Sequence, residues 1–385
     1  MTRSFLLCSF LVISFLACQP TPPVLTKGVD LTDIAYNPTA YTIVPPQGLP
    51  PMEVPANNPM TEEGIRLGRH LFYDPILSLD STISCSSCHK QEKAFTDGVA
   101  LSTGIDGLVG TRSSMSLINV GYSWIQGRQH NFMWDGRFVT LEELSTKGPI
   151  MDPVEMANTP ENLEKTLRQH PTYPKMFREA FGINNSGAIK MEMVGKALAQ
   201  FQRTLNSANS IYDQDGRVPG VFMSAQAQDG FRIFMGDANG APSSKDGECG
   251  HCHSASSGKP LFARNDFSNN GLDSVASLTD FLDYGLGGAI NDPTKNGMFK
   301  EVSLRNIALT APYMHDGRFQ TLEEVMDHYA RDLRHRSPNT ASELTTATTL
   351  PYLNQADKED IIAFLHALTD TSYVNNKAWS NPFEE

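Results

Sequence analysis

The chain has 385 residues, 40% of them apolar, and a formal net charge of −12. That length suffices for two domains with ordinary cores, and the acidic balance argues against nucleic acid as a partner. After residue 17 no uninterrupted apolar run approaches the length needed to span a membrane.

Residues 1–17 read as a signal peptide: Arg3 gives a positive start, and the apolar stretch from Phe5 to Ala17 is too short to cross a bilayer. It ends in Phe15-Leu16-Ala17-Cys18, similar to a bacterial lipoprotein cleavage site. Cys18 is therefore the candidate for a lipid anchor, and secretion without a lipid is the alternative. Residues 18–58 are rich in proline and lack helical periodicity, which predicts a tether followed by an extended arm. A helix is predicted from about Thr61, with Ile65, Leu71 and Phe72 on one side and Asp74-Pro75 as its stop.

The next stretch, Ser84-Cys85-Ser86-Ser87-Cys88-His89, carries C-x-x-C-H, the attachment pattern for a c-type haem. Two thiols at that spacing can reach the two vinyl groups on one edge of a porphyrin, and the histidine that follows can ligate iron. The pattern returns at Cys249-Gly250-His251-Cys252-His253, and the two copies use every cysteine outside the first eighteen residues. A redox CxxC pair or half a zinc site would leave each following histidine unexplained. Two covalent haems are expected, ligated by His89 and His253. Such haems are attached outside the cytoplasm in bacteria, in keeping with an exported, periplasmic chain.

Other segments recur in the same order. Gly68-Arg69-His70-Leu71-Phe72 precedes the first motif and Gly230-Phe231-Arg232-Ile233-Phe234 the second. Ser116-Leu117-Ile118-Asn119-Val120 is answered by Ser303-Leu304-Arg305-Asn306-Ile307, and the stretch from Trp134 to Glu143 by that from His315 to Glu324. One haem-binding unit has been duplicated, so the predicted fold is mainly α, with two cytochrome c-like domains. Their expected bounds are 59–189 and 190–372, with 373–385 as a tail. In each copy Thr-Leu-Glu-Glu forms a capping box, Thr140 with Glu143 and Thr321 with Glu324. Arg137 and Arg318 either pair with haem propionates or brace a turn. Val194, Ala197, Leu198, Phe201 and Leu205 predict a helix that opens the second domain. Ile361, Ile362, Leu365 and Leu368 predict one that packs near Phe231.

The copies differ where chemistry would be decided. Eight residues after Thr321 lies Tyr329, whereas eight after Thr140 lies Gly148. If the helices sit alike over their haems, the second iron has a side chain within reach and the first does not, leaving an open position for a small oxidant. The first copy instead carries Glu155, either a proton-transferring carboxylate with a pKa raised by desolvation or a surface residue. Trp134, opposite His315 in the alignment of copies, is either a relay between haems or a core aromatic.

Taken together, these residues resemble the bacterial di-haem cytochrome c peroxidase and MauG family. The carriers are Leu67-Gly68 through Pro75, the two CxxCH motifs, Trp134 to Arg137, Gly148-Pro149 to Met156, and Leu304-Arg305-Asn306 to Gly317. The resemblance implies a peroxidatic first haem on His89 and an electron-relaying second haem on His253 with Tyr329 as its other ligand, as in MauG. It also implies Glu155 as the acid–base residue, Trp134 between the haems, and a calcium ion held by Asn119 and the carbonyls of Thr310 and Pro312. Ile105 stands where classical members place a histidine that caps the first iron, and Leu144 where MauG has a glutamine. The expected activity is reduction of hydrogen peroxide with electrons from a small cytochrome or copper protein. A MauG-like oxidase acting on a protein or small molecule is the second reading, and a non-enzymatic di-haem electron carrier the third.

Overall fold

The computed structural model describes residues 28–124, 129–236, 247, 249–254, 261–345 and 353–384. The leader and Cys18 lie outside the described residues. Among those described, twelve α-helices carry the fold. In the first half these are α1 (Glu62–Tyr73), α2 (Cys85–Cys88), α3 (Leu141–Lys147), α4 (Pro160–Gln169), α5 (Tyr173–Phe181) and α6 (Met191–Gln202). There follow α7 (Ile211–Gln214), α8 (Ala225–Met235), α9 (Cys249–Cys252), α10 (Leu286–Ile290), α11 (Leu322–Tyr329) and α12 (Gln355–Ala367). The described strands form one short antiparallel pair, β1 (Phe267–Ser268) against β2 (Phe299–Lys300). The chain is mainly helical, as its periodicity predicts, and no described helix is long and apolar enough to cross a membrane.

Helix α1 starts and stops where its sequence directs. Thr61 accepts a hydrogen bond from Gly64 N, Glu62 and Glu63 lie in the first turn, and Asp74 ends the helix before Pro75. Its apolar side meets α6 at Gly68, where a Cβ would overlap the carbonyl oxygen of Ala197. Helix α8 meets α12 in the same way, Gly230 lying against the carbonyl of Asp360. Glycine is needed at both crossings because the two backbones touch there.

Two large apolar cores form around these crossings. One gathers Leu67, Leu71, Phe72 and Phe95 with Val194, Ala197, Leu198, Phe201 and Leu205. The other gathers Ile233, Phe234, Phe262 and Met326 with Ile361, Phe364, Leu365 and Leu368. The helix from Val194 to Phe201, predicted to open a second domain at residue 190, therefore closes the first core instead. Its apolar side is complementary to α1, and the divide between cores falls after Leu205.

The tail from residue 373 is also part of the first core. Tyr373 and Trp379 are buried there, with the indole edge-on to Phe95 at 6.4 Å between ring centres. Gln91 donates to the carbonyls of Tyr373 and Asn376, and Tyr73 Oη to that of Trp379. The halves are further joined by buried polar contacts. Ser207 pairs through its backbone with the Asn119 amide and through its hydroxyl with Asn306 and Asp370. Within the second half, the buried ion pair Arg305–Asp213 is bidentate, at 2.8 and 2.9 Å.

Candidate functional site

Each CxxCH begins with a one-turn helix, α2 or α9, that brings its two cysteines together, and the histidine follows as the chain turns inward. His89 is held through Nδ1 by the Phe95 carbonyl at 2.8 Å, and His253 through Nδ1 by those of Phe262 and Val302 at 3.3 and 3.1 Å. A carbonyl can only accept, so Nδ1 carries the proton and Nε2 is left for a metal. Burial lowers the pKa of both imidazoles, favouring the neutral form that ligates iron. Both phenylalanines supplying these carbonyls have positive φ, 56° at Phe95 and 52° at Phe262. Ser116 Oγ donates to the carbonyl of Ala94 and Ser303 Oγ to that of Leu261, each at 2.6 Å, fixing the two turns alike. The repeated serines thus have one job, which the sequence shows only as a recurrence.

The helices following the repeated Asp-Gly-Arg turns are capped by Thr140 and Thr321, which accept from Glu143 N and Glu324 N. In α11 the box is complete, since Glu324 accepts from Thr321 N. In α3 the expected reciprocal bond is displaced by one residue: Glu143 accepts from Val139 N, with a second oxygen taken by Lys147. The arginines brace their turns. Arg137 pairs with Asp135 at 3.0 Å, and Arg318 with Asp316 and with Asp273, the latter at 2.9 Å.

The last residues of these helices mark the asymmetry. Helix α3 ends at Lys147 and Gly148 is its cap, whereas α11 runs through Tyr329. The Tyr329 hydroxyl accepts from Asn270 Nδ2 at 3.1 Å. Burial raises its pKa, the Asn270 hydrogen bond opposes the rise, and the thiols of Cys252 and Cys249 and the Glu301 carboxylate add to it. Tyr329 is thus enclosed within electrostatic reach of both second-motif cysteines.

Glu155 bears the same relation to the first motif. It contributes to the raised pKa of both Cys85 and Cys88, after burial and, for each, one nearer charge. Part of the residue remains exposed, but its carboxyl group is enclosed deeply enough for desolvation to lift it to about 7. Asp152 adds to that rise and Arg137 opposes it. The loop is built for this placement. Asp152 Oδ1 accepts from Val154 N at 2.8 Å and Glu155 N at 3.2 Å, and the Glu155 carbonyl accepts from Ile105 N at 3.0 Å. Buried Ile105 is therefore fixed beside Glu155.

Trp134 spans the halves. Its Nε1 donates to the Ser113 carbonyl and its own carbonyl accepts from Lys300 N, both at 2.9 Å. Ser113 is in turn bound to the carbonyls of His315 and Met314. The remaining predicted site is less convergent. Asn119 spends its Nδ2 on the Ser207 carbonyl at 2.9 Å and its Oδ1 on Ser207 N at 3.0 Å. Thr310 follows a short 3-10 turn, and Pro312 follows a cis peptide bond. Among the described residues no group of three His, Cys, Asp or Glu could hold a metal ion. Residues that the sequence reading missed are Phe95, Phe262 and Val302, which act through carbonyls, and Asn270, whose partner is distant in sequence.

Two cysteine-bearing turns, each followed by a half-buried histidine whose Nε2 is left for a metal, define a helical c-type haem protein with two unlike halves. The family described as di-haem cytochrome c peroxidase matches residues 62–217. The chain is 31% identical to methylamine utilization protein MauG of Methylorubrum extorquens, over 82% of this chain and 80% of that one. It is 30% identical to cytochrome-c peroxidase IdrP1 of Pseudomonas sp. strain SCT, over 90% of both. A solved structure of a MauG-like protein associated with microbial copper homeostasis superposes with a TM-score of 0.75 at 33% identity, covering 89% of this chain and all of that one. The chain belongs to the di-haem cytochrome c peroxidase family, with two c-type haems as its cofactors.

Proposed function

We propose that this protein is a di-haem peroxidase that reduces hydrogen peroxide to water in the periplasm with electrons from a small redox protein. The observation that carries the reading is Glu155, an enclosed carboxyl group beside the first motif that burial pushes up to about 7, with no tyrosine at the end of α3. Haem bound through Cys85, Cys88 and His89 supplies the iron centre at which a peroxide O–O bond can be cleaved. Glu155, half ionised near neutrality, takes a proton from one peroxide oxygen and returns it to the other, the role a general acid–base group fills best when its pKa matches the working pH. Buried Ile105 is tied to this loop through its backbone N–H, which the Glu155 carbonyl accepts.

Cys249, Cys252 and His253 would hold the second haem, and Tyr329 would offer its iron a phenolate oxygen, which favours the ferric state. Trp134, bonded to Ser113 on one side and Lys300 on the other, is the residue between the two haems. The matched serine, glycine and left-handed phenylalanine positions support descent of the two haem domains from one duplicated unit. Calcium is assigned to Asn119, Thr310 and Pro312 by family resemblance, with one lone pair of the Asn119 amide oxygen remaining for it. Export with or without acylation at Cys18 completes the reading.

A second reading, a MauG-like oxidase of a protein or small-molecule substrate, is favoured by Tyr329 and by likeness to the copper-associated MauG-like protein. Steady-state peroxide consumption by the haem-loaded protein with a reduced small cytochrome tests the first. Turnover is expected, and peroxide reaction without oxidation of the cytochrome would move the assignment to the oxidase. A resting ferric spectrum with one high-spin haem is expected of either enzyme; two low-spin haems would indicate an electron carrier.

A further inference from the structure

The side chain of Asn270 is fixed on several sides. Its Oδ1 accepts from Leu272 N at 3.2 Å, its backbone carbonyl accepts from His328 Nε2 at 3.1 Å, and its Nδ2 lies 3.1 Å from Tyr329 Oη and 3.5 Å from Met314 Sδ. The Leu272 amide can only donate, so it settles which end of the carboxamide is oxygen. The other end, Nδ2, must donate, and the tyrosine oxygen must accept. Among the described residues nothing accepts the tyrosine's own proton. Tyr329 therefore presents an oxygen that is oriented from one side by a donor and available on the other, the arrangement expected of a ligand atom rather than of a phenol anchored by its O–H.

We propose that Asn270 is the positioning residue of the second haem, donating a hydrogen bond to the ligating oxygen of Tyr329 and so setting its direction and its donor strength. The proposal rests on Tyr329 being the iron ligand. A hydrogen bond to a phenolate oxygen withdraws electron density from it and weakens its donation to the metal, which stabilises ferric iron less than an unbonded phenolate would. The second haem thus gains a higher reduction potential than phenolate ligation alone would give it. The contact to Met314 links this control to the rest of the site. The carbonyl of Met314 accepts from Ser113 Oγ at 2.9 Å, and the carbonyl of Ser113 accepts from Trp134 Nε1.

The test uses the haem-loaded full chain. Asn270→Leu removes the donor at similar volume, and Asn270→Asp keeps the shape while replacing the amide donor with an acceptor, in case the apolar variant fails to fold. Both should retain two covalent haems, with a lower midpoint potential at the second haem, a phenolate-to-iron charge-transfer band at longer wavelength, and no shift at the first. Tyr329→Phe should abolish that band. A band that survives Tyr329→Phe overturns the ligand reading and this inference with it. A band lost in Tyr329→Phe but unmoved in both Asn270 variants, with unchanged potential, overturns the inference alone.

Discussion

Replacing Glu155 with glutamine removes the carboxyl group proposed to transfer the proton while preserving side-chain volume. The structure fixes what should be lost. With a pKa of about 7, the carboxylate fraction rises from roughly 10% at pH 6 to roughly 90% at pH 8, so the wild-type rate with peroxide should climb about tenfold across that interval. An ordinary surface glutamate is ionised throughout it and would give a flat profile. Glu155→Gln should slow the reaction by about two to four orders of magnitude, the usual contribution of a positioned acid–base group, and abolish the pH dependence. Because Arg137 opposes the raised pKa, Arg137→Gln should move the acid limb to higher pH. Stopped-flow mixing of the ferric, fully loaded protein with peroxide measures all three. A flat wild-type profile, or a glutamine variant reacting at the wild-type rate, would falsify the role assigned to Glu155.

The same carboxyl group affects stability with the opposite sign. Its folded pKa lies above the ordinary glutamate value of 4.5, so the stabilisation of the protonated form is full below about 4.5 and lost as pH rises through about 7. Glu155→Gln should therefore raise the melting temperature at pH 8 and leave it unchanged at pH 4, which thermal melts at the two pH values will show. Trp379→Ala removes a buried indole from the first core and should cost about 3–5 kcal/mol in denaturant unfolding, with the larger loss of order around the first haem. Arg305→Met should cost about 3–5 kcal/mol by leaving Asp213 buried without its ion-pair partner, and adding Asp213→Leu should recover much of it. Removing calcium by chelation should lower thermal stability and reduce electron transfer between haems; equal melts with chelator and with added calcium would remove the ion from the assignment.

The sequence was informative wherever a local pattern has a local cause. The two CxxCH motifs, the threonine caps and the helix starting after Thr61 each depend on residues within a few positions of one another; the caps and that helix are found as read, except that Glu143 takes Val139 N in place of Thr140 N. Placement of α6 failed because amphipathic spacing gives a buried face but not its partner. The recurring segments held the missing clue: α12 crosses the glycine of α8 just as α6 crosses the glycine of α1. The tail resisted reading because Trp379 and Tyr373 meet residues some three hundred positions earlier and no repeated unit includes them. Glu155 was visible only as a carboxylate whose environment was open to either reading, since its desolvation depends on how the loop from Asp152 folds against Ile105. Asn270 carried no signal, because a single asparagine in an irregular segment does not reveal which distant oxygen it will meet.

The closure of residues 373–384 over Phe95 gives this chain an inverted order of completion. The half that emerges first from the ribosome receives part of its packing from residues made some three hundred positions later. Until Trp379 and Tyr373 arrive, the turn whose carbonyl fixes His89 lacks its outer wall, while the second apolar core gathers buried residues between Met223 and Leu368. Folding should therefore complete the core beside the first CxxCH motif only after residues 373–379 have been made, so that products truncated before them retain an unfinished centre.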